Sequence, residues 1–169
     1  MQENFSIRPA ETEDIAGITC LNDLAFGQPD EGELVHVLIE DGDDLLSLVA
    51  TTPTGEIIGH IQFFPIDCVP ASETVKFAGL GPMSVHPRCQ KAGIGGTLIT
   101  EGLAQMKAKG IQRVFVLGHK DYYPKFGFDV AETAGYAAPW GGPYFMALTL
   151  NPGGPEAGQL IYPDAFGSG

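Results

Sequence analysis

Apolar and polar positions alternate along Phe5-Ser6-Ile7-Arg8 and stop at Pro9, the period of a short first strand. From Thr12 the period lengthens: Ile15, Ile18, Leu21 and then Leu24 or Ala25 recur at helical spacing until Gly27-Gln28-Pro29 breaks it. A second helix is expected from about Asp30 to Glu40, with Leu34 and Val37 or Leu38 on its buried face. Leu45–Thr51 and Glu56–Asp67 are apolar runs around Thr52-Pro53-Thr54-Gly55, which predicts an antiparallel hairpin. After the polar link Ala71-Ser72-Glu73-Thr74 comes a further strand to Val85. Within it, Gly81-Pro82 predicts a bulge or a place where neighbouring strands part, because proline has no N–H to give a ladder.

Leu98, Ile99, Leu103 and Met106 form one face of a helix from Gly95 to Lys109, which Gly110 should end. Val114-Phe115-Val116-Leu117 is a continuous apolar run, the pattern of a strand buried on both faces. Strand, helix and strand in that order imply a parallel, right-handed crossover. Tyr122–Phe126 reads as a helical turn and Tyr144–Leu150 as a last strand. The intervening Ala131–Pro143 loop carries Trp140, and the tail 152–169 has enough apolar residues to dock. One domain over 1–169 is the expectation for a chain of this length.

Charge changes the picture more than bulk composition does. The net charge of −12 argues against nucleic acid, whose binding rests on Lys and Arg neutralising phosphates. Lys76–Lys125 nevertheless holds eight of the nine Lys and Arg and two of the 21 acids, a net +6 against −18 elsewhere. An anionic ligand on the central segment and a cationic one facing the remainder would suit that split. No apolar run is as long as a membrane span, and Met1-Gln2-Glu3-Asn4 lacks a secretion signal, so a cytoplasmic location without membrane partners is expected. Cys20, Cys68 and Cys89 have neither metal-site nor redox spacing, so they read as reduced thiols and no metal is expected.

The candidate chemistry begins at Val85-His86-Pro87-Arg88-Cys89-Gln90-Lys91-Ala92-Gly93-Ile94-Gly95-Gly96-Thr97, where a strand turns into a helix. The first N–H groups of a helix have no partner within it, and glycines let an anion approach them. A P-loop would need a lysine after its last glycine, where Thr97 follows Gly96. A dinucleotide loop beginning at Gly93 and Gly95 would need a small residue where Leu98 stands. Gln90, Gly93 and Gly95 instead fit Q-x-x-G-x-G, which resembles the pyrophosphate loop of the GNAT superfamily of N-acetyltransferases. Downstream, Tyr122-Tyr123-Pro124-Lys125-Phe126-Gly127-Phe128 is similar to the aromatic-pair-then-Gly-Phe pattern of that family. Gly81-Pro82-Met83-Ser84-Val85-His86-Pro87, Leu117-Gly118-His119 and the closing Ile161-Tyr162-Pro163 to Phe166 resemble small bacterial predicted acetyltransferases of the same superfamily.

The resemblance implies an α/β (α+β) fold, a mostly antiparallel sheet with a parallel, splayed central strand pair. It implies direct transfer of an acetyl group from acetyl-CoA to a primary amine of a small molecule or peptide, without a covalent enzyme intermediate. On that reading Met83, Ser84 and Val85 pair with the pantetheine arm, a backbone N–H near Met83 polarises the carbonyl, and Arg88, Gln90, Lys91, Ala92, Gly93, Ile94, Gly95, Gly96 and Thr97 surround the pyrophosphate. Tyr123 is the general acid, since a phenol of pKa about 10 can donate where a carboxylate is already ionised. A base is less evident. Phe77–Val85 contains no acid, leaving His119, Glu33 or a water chain as candidates. A CoA-binding sensor of the same fold without transferase chemistry is the alternative, and the amine acceptor and a homodimer stay open.

Overall fold

The computed structural model describes residues 4–70, 73–90, 92–140 and 142–166. Its strands are β1 (Ser6–Pro9), β2 (Leu46–Thr51), β3 (Ile57–Val69), β4 (Phe77–Val85), β5 (Arg113–Leu117), β6 (Tyr136–Ala137), β7 (Phe145–Thr149) and β8 (Gly158–Ile161). The helices are α1 (Ile15–Phe26), α2 (Asp30–Glu40) and α3 (Ile94–Ala108). Hydrogen bonding runs in the order β1-β2-β3-β4-β5-β7, with β8 pairing both β3 and β6. The chain forms two compact units: the described residues up to Phe63 with Pro82–Gly102, and Phe64–Gly81 with the described residues from Leu103 onward.

In the first unit β1, β2 and β3 form an antiparallel meander, with Ser6 opposite Thr51 and Leu46 opposite Phe63. A short 3-10 turn precedes α1, and its Asp14 carboxylate accepts from Arg8 at 2.7 and 3.0 Å and from the Glu11 N–H at 2.7 Å. Ile18 of α1, Val35 of α2 and Val49 of β2 form a fully buried cluster. The buried face of α1 is Ile18, Leu21 and Asn22, whereas Leu24 is 53% exposed. Steps of three residues fall 60° short of a full turn, so a row begun at Ile15 and Ile18 has left the core face by Leu24. On α2 the buried residues are Gly32, Val35 and Leu38, with Leu34 and Val37 only half-buried. A Cβ at position 32 would lie 2.9 Å from the Thr19 carbonyl oxygen, so glycine there lets α2 come close to α1.

In the second unit β4 and β5 are parallel, with Phe77 opposite Arg113 and Leu80 opposite Val116. The ladder ends there although β4 continues to Val85, and the next two residues are Gly81, at φ +150°, and the buried Pro82. Antiparallel β7 continues alongside β5 to the pair Leu117 and Phe145. The run is not buried to its end: Leu117 is 51% exposed while Val114, Phe115 and Val116 are buried. The core here is aromatic. Phe115 stacks on Phe145 at 5.9 Å between ring centres and meets Tyr136 edge-on at 5.2 Å.

The C-terminal region departs from the sequence expectation, because β7 is not the last strand. Gly158–Ile161 pairs antiparallel with Asp67–Val69 of β3, and Tyr136-Ala137 pairs parallel with its start. Four residues set among glycines and prolines carry too little periodicity to reveal a strand; the partner supplies the order. Beyond β8, Phe166 packs on Phe64 at 4.5 Å, with Tyr162 5.7 Å from the same ring. Gly79 of β4 leaves the space that Phe64 fills, since a Cβ there would overlap the ring.

Candidate active site

The glycine-rich segment lies wholly in the first unit. From Val85 the chain enters a 3-10 turn, Pro87–Cys89, capped by His86, whose Nδ1 accepts from the Arg88 N–H at 3.1 Å. Gln90 Nε2 donates to the Val85 carbonyl at 3.4 Å, bridging the two ends of this turn. Gln90 thus shapes the loop from within. Gly93 takes φ +85°, a conformation that other residues rarely adopt, and the space around its missing Cβ is open.

Helix α3 then begins. Its first intrahelical bond runs from the Thr97 N–H to the Gly93 carbonyl at 3.0 Å, so the N–H groups of Ile94, Gly95 and Gly96 precede the ladder. The helix is anchored by Ile94 itself, which is buried beneath this turn. A Cβ on Gly59 would come within 2.8 Å of Ile94 Cγ2, so a glycine on β3 admits the anchor. Thr97 Oγ1 donates back to the Gly93 carbonyl at 2.8 Å, leaving its hydroxyl only lone pairs to offer a ligand. Arg88 is exposed beside the loop, and Lys91, the other cation expected here, lies outside the described residues. On β4, Met83 and Val85 are half-buried and Ser84 is buried.

Tyr123 and His119 lie in the second unit. The Tyr123 N–H donates to the His119 carbonyl at 3.2 Å and opens the 3-10 turn Tyr123–Phe126, which Gly127 closes at φ +100°. The Tyr123 ring packs edge-on against Tyr122 at 5.3 Å and Phe128 at 5.8 Å, and it fills the space where Gly118 has no Cβ. The Leu-Gly-His segment before the turn therefore has a steric role: a side chain at 118 would displace the tyrosine. With the ring only 7% exposed, burial and then neighbouring Tyr122 push the phenol up to about 12, so it remains protonated at neutral pH. His119 and Glu33 are both exposed, the latter on α2 in the first unit.

Polar residues that hydropathy does not flag are buried on α1 and β3. Asn22, His60 and Gln62 are fully buried. The signal for His60 and Gln62 is faint: two polar residues at alternate positions inside the run Ile57–Ile66.

A parallel strand pair whose ladder ends at a Gly-Pro step, within a mostly antiparallel sheet and followed by a glycine-headed helix, defines the class of mixed α/β folds used by acyl-CoA N-acyltransferases. The profile of the Acetyltransferase (GNAT) domain matches residues 6–131, and the chain belongs to that family. It is 36% identical over 140 residues to the uncharacterized N-acetyltransferase YjhQ of Escherichia coli K12, covering 81% of this chain and 77% of that one. The YhbS protein of Escherichia coli, solved in complex with CoA, superposes with a TM-score of 0.87 at 29% identity over 98% of this chain and 93% of its own. A GNAT family acetyltransferase from Brucella melitensis, solved in complex with acetyl-CoA, gives 0.81 at 36% identity over 97% and 99%.

Proposed function

We propose that the protein is an N-acetyltransferase that moves the acetyl group of acetyl-CoA directly to a primary amine of a small molecule or peptide. The observation that carries this is the start of α3, where the N–H groups of Ile94, Gly95 and Gly96 precede the helical ladder behind an open Gly93. A pyrophosphate suits those donors, the helix dipole and exposed Arg88. That the YhbS and Brucella relatives were solved with CoA and acetyl-CoA supports the same ligand here.

Each helix-end contact contributes only about 0.3 to 2 kcal/mol, so affinity rests on several N–H groups acting together. Met83, Ser84 and Val85 would offer backbone groups to the pantetheine arm as an added strand does. Acetyl-CoA supplies a thioester whose carbonyl carbon takes the amine nitrogen and whose sulfur leaves. A β4 N–H near Met83 would polarise that carbonyl. The Tyr123 phenol, held protonated by burial, would give its proton to the departing sulfur, and the proton shed by the acylated amine would pass through water to restore the phenol.

Calorimetric titration with acetyl-CoA tests the assignment, with NAD and ATP as controls and Gly95→Asp as the comparison. Selective binding by the wild type, lost when a carboxylate enters the loop, is expected. Absence of acetyl-CoA binding by the folded wild type would return the glycines to a structural role. Tyr123→Phe separates the enzyme from a CoA-binding sensor of the same fold. Acetyl transfer should fall by about 10² to 10⁴ while CoA affinity is kept, and unchanged turnover would remove Tyr123 from the mechanism.

A further inference from the structure

Among the described residues of the first unit, five side chains carry a buried polar atom without a hydrogen-bond partner: Asp23 on α1, and Asn22, His60, Gln62 and Ser84. Asn22 on α1 and His60 and Gln62 on β3 are fully buried, and Ser84 on β4 is 3% exposed. Asn22 Oδ1, His60 Nε2, Gln62 Oε1 and Ser84 Oγ have no hydrogen-bond partner among the described residues. The remaining atoms fix the chemistry of these four. Asn22 Nδ2 donates to the Ile18 carbonyl at 3.0 Å and lies 3.5 Å from His60 Nδ1, while Gln62 Nε2 donates to Asp44 Oδ1 at 3.1 Å. An amide nitrogen only donates, so His60 Nδ1 accepts and the neutral ring carries its proton on Nε2. Burial keeps that ring neutral, its pKa pushed down to about 3.

Register places the groups together. His60 and Gln62 are two apart on a strand and so share a face. The His86 N–H donates to the Ile58 carbonyl at 2.8 Å, which brings the end of β4 alongside the start of the neighbouring β3. On that alignment Ser84, two residues inward on β4, falls level with His60, two residues inward on β3. Asn22 reaches that face from α1 through its contact with the His60 ring.

The inventory is one donor, His60 Nε2–H, two acceptors, Asn22 Oδ1 and Gln62 Oε1, and a hydroxyl that can be either. A cation would meet the imidazole N–H and an anion would meet the amide oxygens. Water complements the whole set, accepting from the ring and donating to the amides. We propose that Asn22, His60, Gln62 and Ser84 hold ordered water between α1 and the sheet, and that through Ser84 this hydrated cluster positions the strand segment Met83–Val85 against the pantetheine arm. The positioning role rests on the acetyl-CoA reading above; the hydration does not.

Two measurements test it on the full chain. A high-resolution crystal structure should show water within hydrogen-bonding distance of His60 Nε2 and Ser84 Oγ, and a dry cluster overturns the proposal. Affinities for CoA and for ADP, which has the pyrophosphate but no pantetheine arm, are then compared in His60→Leu, Ser84→Ala and Ser84→Thr. Loss of one buried hydrogen bond should raise the CoA Kd about tenfold in the first two variants. The ADP Kd should be unchanged, and Ser84→Thr, which keeps the hydroxyl, should restore CoA binding. Should His60→Leu fail to fold, the two Ser84 variants carry the test. Equal weakening of both ligands, or no change for either, overturns positioning. A wild type that binds no CoA fails the functional reading and the positioning role together, while the electron density still decides the hydration.

Discussion

Asp14 shows what one side chain contributes before any ligand is considered. Its carboxylate faces the Arg8 guanidinium and the Glu11 N–H, and these hydrogen bonds, with Arg8 the larger cause, hold its pKa below the ordinary aspartate value. A depressed folded pKa means that the unfolded chain takes up the proton first. The stabilisation is therefore complete above the unfolded value of about 3.9 and is lost as pH falls through the lower folded value. Arg8 is partly solvated, so the pair is worth about 1 kcal/mol. Asp14→Asn should lower the unfolding free energy read from urea titration by about that much at pH 7, and by progressively less as pH falls below about 3.9. A difference that stays constant over that range would show that the charge is not what matters. Tyr123 predicts the opposite kind of profile. With its phenol near 12, it contributes no limb to a pH–rate curve below about pH 11, and any limb found near neutrality belongs to another group or to the acceptor amine.

Among the elements, α3 depends most on glycines that belong to its neighbours or face them. Gly59 admits Ile94 and Leu98, and Gly102 on the helix itself admits the Phe63 ring. Gly102→Val would force a branched side chain into that ring and should cost about 1 to 3 kcal/mol, read as a lowered thermal midpoint. Gly118→Ala should act locally: it drives a methyl into the Tyr123 ring, so near-UV circular dichroism should change before global stability does. The long elements were legible because their periods are strong: Leu98, Ile99, Leu103 and Met106 are all buried on α3. The glycine segment was legible as the turn into α3 because it stands between an apolar run and a helical period. Strands β6 and β8 were not, because their order comes from partners distant in sequence. Nor was the polar cluster around His60, since alternation inside an apolar run tells which face a residue takes but not what it meets there.

At the scale of the whole chain, two facts lie outside any one element. The first is charge. A central segment of net +6 in a chain of −12 should draw an anionic ligand locally while the rest repels it, so the acetyl-CoA Kd should rise with ionic strength. A salt-independent Kd would assign the affinity to backbone N–H groups alone. The second is the order in which the second unit can be completed. Phe64 is covered by Phe166, and the end of β3 is paired by Gln159–Ile161, so residues made early are covered by residues made much later. Such distant contacts close slowly. During synthesis the nascent chain must carry the Phe64 ring uncovered until Phe166 has left the ribosome, which makes this aromatic corner the surface that a chaperone would meet.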